Sequence, residues 1–293
     1  MSDPVGDLPE ARTPSAKRPK TGPARVEHLR AEVERLSLKA RVQLLDGLKP
    51  RLVSDAPGGG RFSVRSLSEY KRVMKQKPWD VPIEEWIATF RPSEVFYDIG
   101  ANTGAFSLLA GRLHGEGVRV VAFEPGFETF ESLVQNILLN SLGRVITPLQ
   151  VALFDETGLR PFNYYNMGAG SARHVVGEPD HSAGCAFEPV AVQPVLAFRL
   201  DDLVERFCLP APTRIKLDVD GVEARVLAGA ERTLSAGACE LWVELSETGP
   251  NDPGPAQIVG LLERCGYAIA RRLDHDKAPG VYPRVSDVLF VKR

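Results

Sequence analysis

Only four cysteines, three methionines and three tryptophans occur among the 293 residues. Cys185, Cys208, Cys239 and Cys265 lie 23, 31 and 26 residues apart, so no C-x-x-C pair exists to bind a metal or to run a dithiol cycle. Reduced, packed thiols in a cytoplasmic chain are the expectation. No apolar run approaches the roughly 20 residues that a membrane-spanning helix needs. The polar, proline-punctuated start MSDPVGDLPEARTPSAKRPKTGPAR has no apolar stretch of the kind a signal peptide carries. An excess of one charge is missing too: 36 Lys and Arg against 38 Asp and Glu leave −2, which argues against a protein built mainly to neutralise phosphates. The average hides an asymmetry, since residues 1–50 carry ten basic and seven acidic side chains.

What is present is ordinary globular material, 43% hydrophobic and 25% charged, with 26 glycines and 23 prolines that promise many turns. Collagen, a disulfide mini-protein and wholesale disorder are excluded. Residues 1–25, with five basic residues and no acid between Arg12 and Arg25, read as a solvated, disordered basic tail. Residues 26–92 read as a helical N-terminal extension. Val26, Leu29, Val33, Leu36 and Ala40 recur at 3-4-3-4 spacing, which predicts one amphipathic helix packed on the chain's own body. Two heptads are too few for a coiled coil. Further helices are expected around Ser66–Met74 and in IEEWIATF, between Pro82 and Pro92.

From residue 93 to 293 apolar strands alternate with amphipathic helices. EVFYDIG, VRVVAFEP and VITPLQVALF read as three strands separated by two helices. TRIKLDV and CELWVELSE follow, separated by the helix VEARVLAGAERTL. This β-α-β order predicts an α/β fold with a parallel sheet covered on both faces. The last two strands, YAIARRL and SDVLFVKR, have no helical crossover between them and should be antiparallel. Residues 155–212 are too long for a simple connection and predict an insertion with its own hairpins around MGAGSARH.

In an open parallel sheet, ligands bind outside the carboxyl ends of the strands, at the switch point. Asp98–Gly104, Glu124–Pro125, Ala152–Asp155 and Asp218–Gly221 stand at four such ends. The first is D-x-G-x-x-x-G: Gly100 permits close backbone approach, Asn102 and Thr103 lie in the ligand loop, and Gly104 opens a helix. An aspartate in that turn would repel a pyrophosphate and favour a ligand bearing a sulfonium and an ammonium. Glu124 is placed to accept both hydroxyls of a ribose. Together they point to S-adenosylmethionine ahead of a nicotinamide dinucleotide. TRIKLDVD puts Lys216, Asp218 and Asp220 on one face, and a buried lysine needs a partner, for which Glu244 or Asp98 is expected. Asp218, Asp220, Glu223 and His174 are the candidate bases, unranked. Ser171 and His174, in the insertion, are candidates for contacting substrate. Nothing beyond Asp218-Val219-Asp220 suggests a metal, so none is expected. His28, His114, His181 and His275 belong to no constellation.

DIGANTGAFSLLAG, VVAFEP and above all IKLDVDGVEARVLAGAERTL resemble the FkbM family of S-adenosylmethionine-dependent methyltransferases, over roughly Lys71 to Arg293. The resemblance implies a class I methyltransferase (Rossmann-like) fold, a mostly parallel seven-stranded sheet with an antiparallel last strand. It implies O-methylation of a small-molecule or saccharide acceptor: a sugar, a glycolipid or a secondary metabolite. One departure is visible: where the family has Glu after Asp-Val, this chain has Asp220, one methylene shorter. A nucleic acid partner and a membrane span are not expected, and homo-oligomerisation is left open. An NAD-dependent oxidoreductase and a non-catalytic cofactor-fold scaffold are the competing readings.

Overall fold

The computed structural model describes residues 22–48, 53–56, 59–74, 80–177, 187–237, 239–249, 251–275 and 283–293. The basic stretch 1–21 and Cys185 lie outside them. Met1–Arg51 and Leu52–Arg293 are two compact units. In the first, α1 (Pro23–Glu34) opens on Pro23, whose fixed φ suits the start of a helix, so residues 23–25 are helical rather than tail. The single helix expected to reach Ala40 is broken. Here α2 (Leu38–Leu48) restarts behind Ser37, whose hydroxyl accepts the Ala40 amide at 3.3 Å. Neither helix buries a residue.

The second unit begins with β1 (Val53–Asp55) and β2 (Arg61–Ser63), an antiparallel hairpin inside the stretch read as a helical extension. Gly59 and Gly60, both at positive φ, turn the chain between them. Helices α3 (Leu67–Met74) and α4 (Asp80–Ala88) follow. Then β3 (Val95–Ile99), α5 (Ala105–His114), β4 (Arg119–Phe123), α6 (Phe127–Leu139) and β5 (Ile146–Leu149) wind the first half of the sheet. The third predicted strand does not run through. After Leu149 the chain leaves the main sheet, and β6 (Ala152–Leu153) joins β7 (Gly158–Tyr164), β8 (Val175–Val176) and β9 (Ala191–Phe198) in a separate four-stranded sheet.

The chain returns through α7 (Leu200–Phe207), β10 (Arg214–Leu217), α8 (Glu223–Ala228), α9 (Glu231–Ala236), β11 (Glu240–Glu247), α10 (Gly254–Arg264), β12 (Tyr267–Asp274) and β13 (Arg284–Lys292). The expected helix VEARVLAGAERTL is split at Gly229. Its Cα packs against the Phe154 carbonyl, and its own carbonyl takes the Asp201 amide. The main sheet has the order β5-β4-β3-β10-β11-β13-β12. Its first five strands are parallel, and β13 runs antiparallel to both of its neighbours.

Period-two patterning places the layers. Val95, Tyr97, Ile99, Ile215, Leu217, Leu241 and Val243 pack under α7–α10. Phe96, Val120, Ala122, Ile146 and Trp242 face Val73, Ile83, Trp86, Leu108 and Leu133 of α3–α6. Each such buried side chain contributes about 2 kcal/mol relative to exposure. At the amino ends of β3, β10 and β11 the buried Arg214 guanidinium is closed off by Glu94 and Glu240. The carboxyl ends remain open. Strand order reverses between β3 and β10, which fixes the switch point there. Among the described residues no helix is long and apolar enough to cross a membrane.

Candidate active site

A cavity of about 250 Å³ lies over the carboxyl ends of β3, β4 and β10 and extends to β11 and β13. The turn after β3 forms one wall. Gly100 stands at φ +78°, and its Cα abuts the Asp218 carbonyl so closely that no β-carbon fits. Gly104, at φ +89°, opens α5 against Leu108 and Leu133. Asn102, also at positive φ, donates its side-chain amide to the Ser171 carbonyl at 2.9 Å, tying the turn to the insertion.

Glu124, at the end of β4, forms the adjoining wall. Its two carboxylate oxygens accept the backbone amides of Asn102 at 3.0 Å and Gly126 at 2.8 Å. The side chain is fixed, and each oxygen keeps a lone pair for a ligand. Burial raises its pKa to about 7, against the lowering effect of those two amides.

The floor is charged. Lys216 is 4% exposed, with its ammonium 3.2 Å from Asp218 Oδ2, 3.6 Å from Asp98 Oδ1 and 3.4 Å from the Gly100 carbonyl that accepts from it. Burial lowers its pKa, but Asp218 and Asp98 more than offset this and hold the pKa above the ordinary lysine value. Asp98 also accepts the Ser107 hydroxyl at 2.6 Å. It is fully buried and acts from beneath the floor, not on the cavity wall.

The insertion and α3 close the roof together. Glu69, fully buried, accepts the amides of Arg65 at 2.6 Å and Ser66 at 2.9 Å on one oxygen and the Ser132 hydroxyl at 2.5 Å on the other. Ser66 donates to the Ala169 carbonyl, and Arg72 Nε donates to the Gly170 carbonyl. His174 Nδ1 accepts the Tyr165 amide at 3.2 Å, and its ring packs edge-on to Phe162 and Tyr164. Burial, then the nearby Arg72 charge, lowers its pKa to about 4, so the imidazole is neutral at physiological pH.

Of the residues singled out from the sequence, the cavity wall contains Gly100, Asn102, Glu124, Pro125, Ala152, Leu153, Ser171, His174, Asp218 and Asp220. Thr103 is buried behind Asn102, and its carbonyl accepts from Asn136 at 2.8 Å. Glu223 is buried as well. One of its oxygens accepts the amides of Val219 and Gly221, which fastens the turn after β10, and burial raises its pKa to about 7. Asp220, at φ +57°, accepts the Arg173 amide at 2.7 Å; burial and then the charge of Asp218 raise its pKa. Arg72, Phe106, Trp242 and Asp287 line the cavity without having been anticipated. Arg72 stands outside the strand-end pattern. Asp287 had a signal, a charge at the head of the apolar run VLFV. Among the described residues no group of three or more His, Cys, Asp or Glu is arranged to hold a metal.

The sequence profile of the methyltransferase FkbM domain matches residues 98–269, well over half of the chain. The chain belongs to the FkbM methyltransferase family. It is 28% identical over 205 residues to the 31-O-demethyl-FK506 methyltransferase FkbM of Streptomyces tacrolimicus, a match covering 63% of this chain and 76% of the relative. To the hexuronic acid methyltransferase AglP of Haloferax volcanii it is 24% identical over 190 residues, covering 64% of this chain and 72% of the relative. Among solved structures, the FkbM methyltransferase of Methylobacillus flagellatus KT superposes with a TM-score of 0.45 at 18% identity, over 68% of this chain and 44% of that chain. The β5-β4-β3-β10-β11-β13-β12 order is that of the class I methyltransferase sheet expected from the FkbM resemblance.

Proposed function

We propose that the chain transfers the methyl group of S-adenosylmethionine to a hydroxyl oxygen of a sugar, a glycolipid or a secondary metabolite. The observation that carries this is Glu124: a carboxylate pinned by two backbone amides, on the wall of a cavity whose neighbouring wall is a glycine turn with no room for a side chain. That combination suits a ribose diol lying against backbone. Gly100, Asn102, Glu124, Pro125, Ala152, Leu153 and Asp218 would hold the cofactor, with Asp98, Thr103 and Gly104 shaping the wall from behind. When bound, S-adenosylmethionine supplies an electrophilic methyl on a sulfonium. The carboxylate of Asp218 at the mouth of the floor favours such a positive ligand, and Lys216 keeps the floor from being uniformly negative.

The protein's own contribution is alignment and exclusion of water. Asn102 couples the cofactor turn to the roof through a hydrogen bond to Ser171. The acceptor class follows the relatives, one named for 31-O-demethyl-FK506 and one for a hexuronic acid. A cytoplasmic setting belongs to the same proposal and is supported by the unpaired thiols Cys208, Cys239 and Cys265.

Calorimetry with S-adenosylmethionine and with NAD separates the two cofactor readings. Binding of S-adenosylmethionine that is lost in Glu124→Ala is expected. Binding of NAD without S-adenosylmethionine overturns the proposal. A labelled-methyl transfer screen over sugars, polyketides and glycolipids then identifies the acceptor.

A further inference from the structure

The half of the cavity away from Glu124 is lined by carboxyl groups that the cofactor reading leaves unused. Glu244 on β11 and Asp287 on β13 are direct partners in the antiparallel register, and both reach the cavity wall. Side chains so paired stand about 5 Å apart at Cβ. Asp287 is buried, which raises its pKa, and is bonded to His275 Nε2 at 2.8 Å, a contact that works the other way and favours the ionised carboxylate, to which the imidazole donates. Glu244 has no hydrogen bond and no ion pair among the described residues.

The charges facing Glu244 come from three sides. Asp218 and Asp220 stand at the end of β10, Asp287 lies across the ladder, and Glu223 lies behind on α8. Against them stand the Lys216 ammonium, already engaged by Asp218 and Asp98, and the His275 ring bound to Asp287. Carboxylates this close in a partly dry cavity do not all ionise. Glu244, which has no donor of its own, is the member that keeps a proton, and its pKa is raised first by Asp218, then by burial and then by Asp287.

We propose that Glu244 and Asp287 form the subsite for the acceptor's hydroxyls, Glu244 donating a hydrogen bond from a neutral carboxyl and Asp287, held by His275, accepting from the hydroxyl that reacts. This rests on the methyl-transfer reading above. Asp287 takes the hydroxyl proton as the carbon–oxygen bond forms and the methyl's bond to sulfur breaks, its electron pair staying on sulfur. The positive charge lost there balances the proton gained by the carboxylate. A donor and an acceptor side by side suit two neighbouring hydroxyls of an uncharged polyol. An acidic group at that position would meet Asp218, Asp220 and Asp287.

The test uses the full-length chain. Carbon-13 carboxyl labelling of glutamate, with E244Q to assign the resonance, reads the protonation of Glu244 without cofactor or acceptor. A Glu244 carboxyl still protonated at pH 7 is expected; ionisation in the ordinary glutamate range overturns the proposal. With an acceptor from the labelled-methyl screen, E244Q should keep kcat/KM within about threefold, since the amide donates as the neutral acid does. E244A should lose at least tenfold, chiefly in acceptor KM, and D287N at least a hundredfold in kcat. Equal losses in E244Q and E244A, or an unimpaired D287N that melts like the parent, overturn it. S-adenosylmethionine binding to each variant, measured by calorimetry, separates this outcome from failure of the cofactor reading, which would leave the parent protein itself without binding.

Discussion

Gly100 and Asp218 touch through backbone alone: the α-carbon of one abuts the carbonyl oxygen of the other, at the point where β3 and β10 end side by side. The contact holds the cofactor turn flat against the fourth parallel strand, and φ +78° at Gly100 adds a conformation that other residues resist. Gly100→Ala must therefore push the two strand ends apart. A loss of more than about 2 kcal/mol is expected, or about 5 °C or more in Tm for a unit of this size. Thermal unfolding followed by circular dichroism checks it; an unchanged Tm would show the turn to be pliable.

Lys216 separates two acids, one buried and one at the mouth of the cavity. Removing its charge as Lys216→Met strands Asp98, which among the described residues has no other ion-pair partner. A destabilisation of about 3–5 kcal/mol is expected. The double variant Lys216→Met with Asp98→Asn should recover a large part of it. Chemical denaturation of the two variants decides the matter: no recovery in the double variant would mean that the lysine acts by packing and not by charge.

Glu124 titrates inside the physiological range. Its folded pKa, about 7, lies above the ordinary value of 4.5, so the folded state holds a proton that the unfolded chain has lost. Stability from this group is full below pH 4.5, falls as the pH rises toward 7, and is level beyond. Binding of a ribose diol needs the ionised form and runs the opposite way. S-adenosylmethionine affinity is expected to rise about tenfold from pH 6 to pH 8. In Glu124→Gln that rise should vanish; calorimetry at the two pH values measures it, and an undiminished pH dependence in the variant would assign the proton elsewhere.

Glu69 accepts the two amides that lead into α3 and, through the Ser132 hydroxyl, ties α3 to α6, and Gly170 packs directly on it. Glu69→Ala leaves the buried Ser132 hydroxyl and two partly buried amides without their acceptor, a cost of about 3 kcal/mol. The roof loop Gly168–Arg173 should loosen with it. Hydrogen exchange followed by mass spectrometry is expected to show faster exchange in residues 168–173 while β3 and β4 stay protected. Uniform protection across the unit would detach α3 from the roof.

The reading of TRIKLDVD shows how much was legible beforehand. Alternation on a strand expected to be apolar on both faces marked Lys216 as buried and in need of an acid, and Asp98 was one of the two partners foreseen. The nearer carboxylate, Asp218, was not named, because residues two apart on a strand pair only where the strand ends and its backbone turns. The reading failed where chain neighbours part company. VITPLQVALF is one continuous apolar run, yet Leu149 stays with β4 while Ala152 and Leu153 pair with β9. No local pattern records which sheet a strand will join.

The sequence by itself determined the periods: two-residue alternation for the strands, helical spacing for the crossovers, glycines where the backbone must approach closely, and a carboxylate at the end of β4. Those are local matters of sterics and polarity, and they sufficed for the class of fold and the family. Only the tertiary structure decided who meets whom over long separations. It set Asp98 beneath the cavity, placed Arg72 and Glu69 of α3 against the insertion, and brought Asp287 opposite Glu244 with His275 behind it. Charges on strands far apart in the chain become one electrostatic cluster only when the sheet's register lays them side by side.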